Sequence, residues 1–213
     1  MAELRCRHFG RVEYADSWRW MREKIDLRAA QDHDECWLLQ HTPVYTLGQA
    51  GKREHILNSA EIPVVQTDRG GQVTYHGPGQ IVFYTLFDLR RLGIGVRRMV
   101  EQLERSVVAT LREFGIESQG RRDAPGVYVE DRKIAALGLR VRKGCTYHGA
   151  SLNVEMDLQP FLGINPCGFA NMPVTDMKHE GASASIETVS DCLIASLTRE
   201  FRYNSVSHAE GFD

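Results

Sequence analysis

The sequence contains no apolar run that approaches the roughly 20 residues of a membrane-spanning helix. Its first ten residues, MAELRCRHFG, contain no apolar segment of the kind that directs secretion. Neither sign of charge dominates, since 26 Lys and Arg residues stand against 28 Asp and Glu residues. We therefore expect a cytoplasmic protein that binds neither membranes nor nucleic acid.

Several common site motifs are also absent. No GxGxxG or GxxxxGKS/T loop indicates a nucleotide phosphate site, and no GxSxG turn indicates a serine hydrolase. His41, His76 and His148 each lie beside a turn, but no HxH, HxxxH or CxxC pair indicates a metal ion. We predict neither a metal nor a cofactor, and the residues leave open which of these histidines, if any, assists catalysis.

The 213 residues, 42% hydrophobic and 25% charged, are typical of one globular domain, to which we assign residues 1–213. The five cysteines cannot all pair within one chain, so we interpret them as reduced thiols, one of which is a candidate nucleophile. We expect a frayed tail at residues 204–213. The residues do not specify an oligomeric state, and we expect a monomer.

Hydrophobic periodicity predicts three helices and a series of short strands. Apolar residues recur at helical spacing in Tyr14–Ile25, Val96–Phe114 and Ile186–Phe201, with Ser185 as an N-cap for the last. Apolar and β-branched runs predict strands at Glu35–His41, Val44–Leu47, Pro63–Thr67, Gln80–Phe87, Gly126–Val129, Lys133–Val141 and Ala150–Val154. Many short strands with few helices indicate an α/β fold, more exactly an α+β arrangement with helices packed on a mixed sheet.

The segment Asp68–Gln80 is dense in glycine. Glycine lets a ligand approach the main chain closely, and Arg69 and His76 are among the side chains here that donate hydrogen bonds. The segment therefore suggests a site for an acyl carbonyl, a phosphate or an oxyanion. An equally simple interpretation is the rim of a β-hairpin, in which Arg69 pairs with Asp68 or Asp123.

Cys167 is framed by Pro166 and Gly168, which favour a tight turn that presents the sulfur rather than packing it. The alternative is an inert turn cysteine, because most cysteines are structural. Cys36 and Cys192 lie in apolar periodic runs, so we expect both to be core thiols.

A thiol reacts as its thiolate and needs a neighbouring base or cation. Lys133 is one of only five lysines and leads into the apolar run IAALGL, where loss of water would disfavour the ammonium form. The alternative is a lysine at a strand end whose amine reaches solvent. Arginines recur in short groups that are either a solvated surface or patches that attract an acidic carrier protein: Arg90–Arg91, Arg97–Arg98, Arg121–Arg122 and Arg140–Lys143.

Five stretches, RGGQVTYHGPGQ, APGVYV, KIAALGLRV, YHGASLNV and INPCG, occur in this order. Together with HTPVYTLGQAGKREHIL they resemble the octanoyltransferases of lipoate biosynthesis, which are lipoyl(octanoyl) transferases. The resemblance implies the fold of the biotin and lipoate protein ligase catalytic domain. It also implies transfer of an octanoyl or lipoyl group from acyl carrier protein to a lysine of apo-lipoyl domains, in 2-oxoacid dehydrogenases and the glycine cleavage H protein.

The same resemblance implies roles for individual residues. Cys167 matches the family's nucleophile and Lys133 its partner lysine. The acyl-binding segments correspond to Arg69, Gly70, Gly71, Gln72, Val73, Thr74, Tyr75 and His76, to Ala136, Leu137 and Gly138, and to Gly149, Ala150 and Ser151. Backbone N–H groups near Gly70 and Gly71 or beside Cys167 are candidates for stabilising the oxyanion.

Three other functions compete with this interpretation. An ATP-dependent lipoate or biotin ligase would share the fold but activate a free acid and need no thiol nucleophile. A non-catalytic module that binds a carrier protein would transfer nothing. A cysteine hydrolase would release free octanoate without an amine acceptor.

Overall fold

A mixed eight-stranded sheet organises the fold. The computed structural model describes residues 3–166 and 172–211. The strands are β1 (Glu3–Val12), β2 (Asp34–His41), β3 (Val44–Leu47), β4 (Val64–Gln66), β5 (Val73–His76), β6 (Gln80–Leu86), β7 (Gln119–Gly120), β8 (Gly126–Val129), β9 (Arg132–Arg142), β10 (Cys145–Asn153) and β11 (Ser205–Glu210). The large sheet runs β11-β1-β2-β6-β10-β9-β8-β7, and a small sheet runs β4-β3-β5. The predicted mixed sheet with packed helices is confirmed.

The helices are α1 (Tyr14–Leu27), α2 (Leu89–Leu92), α3 (Val96–Glu113) and α4 (Ile186–Phe201). The three long helices match the predicted periodic segments. In α3, the residues Met99, Leu103, Val107 and Leu111 are completely buried, since their spacing places them on one face. The Ser185 side chain accepts a hydrogen bond from the Thr188 N–H, so the predicted N-cap of α4 is confirmed. None of the described helices is both long and apolar enough to cross a membrane.

The large sheet separates two hydrophobic layers. Side chains on one face, including Phe83 and Leu152, pack with α3 and α4. Those on the other face, including Trp37 and Tyr84, pack with Met21 and Ile25 of α1. The small sheet has its own apolar cluster. It stands beside the α1 face, and this arrangement leaves a cavity between the two sheets.

The frayed tail expected at residues 204–213 is wrong for residues 205–210. Ser205–Glu210 form β11, an edge strand that pairs in parallel with β1. The strand β1 itself was not predicted, because its Arg5 and Arg7 break the apolar pattern of a buried strand. Arg7 is nevertheless buried, since its guanidinium forms an ion pair with Glu35 at 3.1 Å on the neighbouring strand.

The burial of the described cysteines differs from the prediction at Cys192. Cys36 is fully buried in the core, as expected, whereas Cys192 is only half-buried on α4. Cys6 and Cys145 lie in β1 and β10 and are both buried. Cys167 lies outside the residues that the structure describes.

Candidate active site

A cavity of about 750 Å³, a volume that includes solvent at its mouth, lies between the large sheet, α1 and β5. Strand alternation explains the wall, because Gln80, Val82 and Tyr84 of β6 all point to this face of the sheet. The predicted site residues that line the cavity are Arg69, Gly71, Gln72, Val73, Thr74, His76, Lys133, Ala136, Leu137, Gly138, Gly149, Ala150 and Ser151. Segments that are far apart in sequence therefore meet around one space.

Two residues of the predicted set do not line the cavity. Tyr75 points away from it, since side chains alternate along β5, and its ring packs against Tyr45 and Phe161 with both centroid distances at 5.5 Å. Gly70 donates its N–H to the Leu139 carbonyl at 3.0 Å. That bond occupies a donor that we expected to be available for an oxyanion, so Gly70 acts here as a backbone link between the loop and β9.

Lys133 lines the cavity, and only 4% of its surface is exposed. The alternative in which its amine reaches solvent is therefore wrong. Its Nζ donates to the Pro125 carbonyl at 3.1 Å and stands 5.3 Å from the centroid of the Tyr128 ring. The Lys133 backbone is bonded to the segment after the nucleophile motif, through Pro173 O at 2.8 Å and Thr175 N at 3.0 Å.

Pro166 lines the same cavity as Lys133. The neighbouring Cys167 lies outside the described residues, so its distance to Lys133 stays a prediction. The described chain resumes at Met172, and Val174 forms a bridge with Lys133 and also lines the cavity. Described residues on both sides of the segment that contains Cys167 therefore line the same cavity as Lys133.

Arg69 holds the glycine-rich loop rather than facing an acid. Its guanidinium donates to Thr46 Oγ1 at 3.0 Å and to the carbonyls of Thr46, Gly70 and Gln72 at 2.6 to 2.8 Å. The described hydrogen bonds of Asp68 go to other side chains than Arg69. The planar fork of arginine suits several carbonyls at once.

Asp68 belongs to a partly buried cluster of polar side chains that the sequence did not predict. Its carboxylate accepts hydrogen bonds from Trp18 Nε1 at 2.8 Å, from His148 Nε2 at 2.9 Å and from the Tyr147 hydroxyl. Burial opposes ionisation of Asp68, but these hydrogen bonds prevail and hold the pKa of the carboxyl well below its usual range. Asp68 is thus a fixed negative charge behind the cavity wall.

His148 reaches Asp68 by an irregular backbone conformation. Its φ is +57°, in the left-handed region that residues other than glycine rarely adopt. Regular alternation along β10 would place His148 on the same face as Ala150, yet its ring stacks on Tyr147 at a centroid distance of 4.9 Å. The bend therefore moves the imidazole to the cavity side. No periodic pattern in the sequence signals such a bend.

Three buried histidines lie at the cavity. His76 and His148 line it, and His41 shares a hydrogen bond with Tyr84, which also lines it. Burial lowers the pKa of His41 to about 4, although its hydrogen bond to the Val12 carbonyl opposes the shift. Burial, and then the neighbouring His41, hold the pKa of His76 well below its ordinary value. Burial also lowers the pKa of His148, against the opposing effect of Asp68. All three imidazoles are therefore neutral at pH 7. Within residues 3–166 and 172–211, no three His, Cys, Asp or Glu side chains are grouped to hold a metal ion.

At least one arginine of each arginine group lies within 4 Å of an acidic side chain. Arg90 lies 3.5 Å from Asp88, Arg97 lies 3.4 Å from Glu101, Arg121 lies 3.4 Å from Asp123, and Arg142 lies 2.8 Å from Asp26. Each pair reduces the field that a group of arginines projects into solvent. The structure thus favours the solvated-surface interpretation over a strongly attracting patch.

The sequence is similar to a family of known proteins. Residues 13–198 match the family model described as the lipoyl protein ligase A/B catalytic domain. The chain is 51% identical over 208 residues to a protein of Shewanella loihica named octanoyltransferase, covering 98% of this chain and 95% of that protein. It is 55% identical over 187 residues to the octanoyltransferase of Alkalilimnicola ehrlichii, covering 88% of this chain and 87% of the relative.

Among solved structures, the fold is similar to a bi-partite lipoate protein ligase from Thermoplasma acidophilum. The TM-score is 0.73 at 17% sequence identity, and the match covers 99% of this chain and 87% of the ligase chain. At that identity the similarity concerns the fold alone.

Proposed function

Because this chain belongs to the lipoyl protein ligase A/B catalytic domain family, we propose that it transfers an octanoyl group from acyl carrier protein to a lysine of an apo-lipoyl domain. The chain is an enzyme, an acyltransferase whose curated relatives are octanoyltransferases over nearly its full length. The acceptors we propose are the lipoyl domains of 2-oxoacid dehydrogenases and the glycine cleavage H protein.

The observation that carries the proposal is a buried lysine in the wall of a largely apolar cavity. Val82, Ala136, Phe161 and Val174 contribute apolar walls, which suit an alkyl chain because burying each methylene releases about 0.8 kcal/mol. Lys133 lines that cavity, and so do Pro166 and Val174, which lie on either side of the segment that contains Cys167. An acyl chain in the cavity would bring its carbonyl to the lysine.

The chemistry proceeds in two transfers. Lys133 accepts the proton of Cys167, and the resulting thiolate attacks the octanoyl thioester carbonyl. The bond to the carrier's sulfur breaks, and that sulfur takes the proton from Lys133 and leaves as a thiol. The amine of the acceptor lysine then attacks the new Cys167 thioester. A C–N bond forms, the Cys167 sulfur departs, and the proton lost by the amine passes to Lys133. The products are an octanoyl amide and the free enzyme, so no ATP is consumed.

An ATP-dependent ligase is the second candidate, since a lipoate protein ligase shares the fold. Such an enzyme makes an acyl adenylate and uses no thiol. The curated relatives near 50% identity carry the transferase name instead, which favours transfer.

The deciding experiment measures the intact mass of the protein after incubation with octanoyl-acyl carrier protein and no acceptor. We expect a gain of one octanoyl group, located on Cys167. In Lys133→Met we expect acylation to slow by about 10²–10⁴-fold, the usual contribution of a general base. Lys178→Met is the matched control, because Lys178 is an exposed lysine paired with Glu155.

Three results would contradict the proposal. An active enzyme with unmodified Cys167 excludes the covalent route. Octanoylation of a lipoyl domain from free octanoate and ATP identifies a ligase. Release of octanoate from the carrier without an acceptor identifies a hydrolase.

A further inference from the structure

A surface groove beside the cavity has no charged side chain among its described lining residues. Its apolar walls include Leu57, Leu162, Ile164 and Pro173, and amide side chains stand at Gln159 and Asn165. An uncharged groove on a chain with 25% charged residues differs from the rest of the surface. It fits a ligand that is itself uncharged and partly apolar.

The groove adjoins the cavity. Phe161 and Val174 line both spaces. Val174 forms a bridge with Lys133, and Pro173 accepts the Lys133 N–H at 2.8 Å. The groove therefore lies next to the backbone of the lysine that we place in the reaction.

Two leucines at the groove are exposed to solvent in the protein alone. Leu57 is 59% exposed and Leu162 is 74% exposed. Both belong to the small set of large apolar side chains that are exposed among the described residues. Because burial of apolar surface is favourable, two exposed leucines on one groove indicate a surface that a ligand would cover.

The two walls of the groove are joined by backbone hydrogen bonds. The Leu57 and Asn58 N–H groups both donate to the Gly163 carbonyl, at 2.8 and 3.0 Å, and the Asn165 N–H donates to the His55 carbonyl at 2.8 Å. Gly163 permits this approach, because a Cβ there would overlap the Asn58 carbonyl. The groove is therefore already formed before a ligand arrives, which lowers the cost of binding.

We propose that this groove binds the pantetheine arm of the acyl donor. The inference rests on the proposed function, in which a thioester on the end of that arm must reach Cys167. The arm is a linear chain without charge that carries two methyl groups and two amides. Its methyl groups suit Leu57 and Leu162, and its amides can exchange hydrogen bonds with the side chains of Gln159 and Asn165.

The test compares two octanoyl donors that differ only in the arm. Octanoyl-pantetheine carries it, whereas the octanoyl thioester of ethanethiol does not. With a lipoyl domain as acceptor, we expect kcat/KM for octanoyl-pantetheine to exceed that for the short thioester by about tenfold or more, a ratio that corresponds to 1.4 kcal/mol of arm binding. In Leu162→Asp and Leu57→Asp that ratio should fall towards one.

Leu27→Asp is the matched control, since Leu27 is 84% exposed at the end of α1 and does not line the groove. It should keep the ratio of the unchanged protein. Leu162→Ala should lower the ratio less than Leu162→Asp, and melting curves establish that each variant is folded.

The outcomes separate the two proposals. Equal use of both donors by the unchanged protein overturns the groove assignment while leaving the transferase intact. A groove variant that raises KM for the lipoyl domain, with the donor ratio unchanged, assigns the groove to the acceptor and also overturns it. Absence of transfer from any thioester, including octanoyl-acyl carrier protein, overturns the proposed function itself.

Discussion

Single residues set the electrostatic character of the cavity wall. His148 adopts a left-handed backbone at a cost of about 1–3 kcal/mol, and in return its ring reaches the Asp68 carboxylate at 2.9 Å. Asp68 remains ionised while the histidines around it remain neutral. The part of the cavity wall near Asp68 is thus polar and hydrogen-bonded, and its histidines carry no positive charge.

These buried histidines make stability depend on pH. In the unfolded chain a histidine gains its proton near pH 6.5, whereas burial holds the pKa of His41 at about 4 in the folded protein. Between these values the unfolded state binds more protons, so the free energy of unfolding must fall as pH falls. Each pKa unit of difference contributes about 1.4 kcal/mol.

We therefore expect urea denaturation to show a decreasing free energy of unfolding from pH 7 towards pH 4. In His41→Gln the protein should be less stable at pH 7, because hydrogen bonds to Val12 and Tyr84 are lost. Its decline with falling pH should nevertheless be shallower, since one fewer proton is taken up on unfolding. An unchanged slope in His41→Gln would show that His41 is not held neutral.

At the scale of elements, the strand β8 makes room for the Lys133 side chain on the neighbouring strand β9. Gly126 has a φ of +152°, and a Cβ there would overlap Lys133 Cε and lie 2.8 Å from the Ala135 carbonyl. Its N–H also donates to Glu104 of α3 at 2.9 Å. The position of the amine thus depends on how β8, β9 and α3 pack together.

This packing predicts the effect of Gly126→Ala. The added methyl group must displace Lys133, so we expect transfer activity to fall at least about tenfold, as small displacements of reacting groups cost large factors in rate. Steady-state assays with octanoyl-acyl carrier protein and a lipoyl domain measure it. Gly95→Ala is the control, because Gly95 has open space around it and an ordinary φ of −91°. Equal activity of the two variants would show that the Lys133 position is not critical.

At the scale of the whole molecule, the chain ends are part of the central sheet. The strand β11 covers one edge of β1, and the buried Arg7 guanidinium donates to the Gly211 carbonyl at 3.0 Å. Arg7 also pairs with Glu35, which in turn binds Lys24 of α1 at 2.9 Å. Arg7, Glu35 and Lys24 therefore form a chain of ion pairs that connects the sheet to α1, and a hydrogen bond links Gly211, which follows the last strand, to Arg7.

Removal of residues 205–213 tests this arrangement. We expect the free energy of unfolding to fall by at least about 2 kcal/mol, because a buried charged group loses a hydrogen bond and β1 loses one of its two partner strands. Urea denaturation measures the change, with the full chain as reference. Unchanged stability would restore the interpretation of this segment as a frayed tail.

Much of the architecture was predictable because it depends on local periodicity. A helix such as α3 needs only apolar side chains at regular spacing to bury one face, so its extent follows from neighbouring residues. The apolar strands β2 and β6 follow in the same way. The acyl-binding segments were identified from motifs in a particular order, and the structure brings most of them around one cavity.

The sequence by itself determined the fold class, the three long helices and the candidate pair Cys167 and Lys133. Only the tertiary structure decided that β1 and β11 are strands, that Arg69 holds a loop, and that His148 turns towards Asp68. Each of these depends on a partner distant in the chain, such as Glu35 for Arg7. A buried charge or a left-handed residue is stable only when such a partner offsets its cost, and no local pattern specifies that partner.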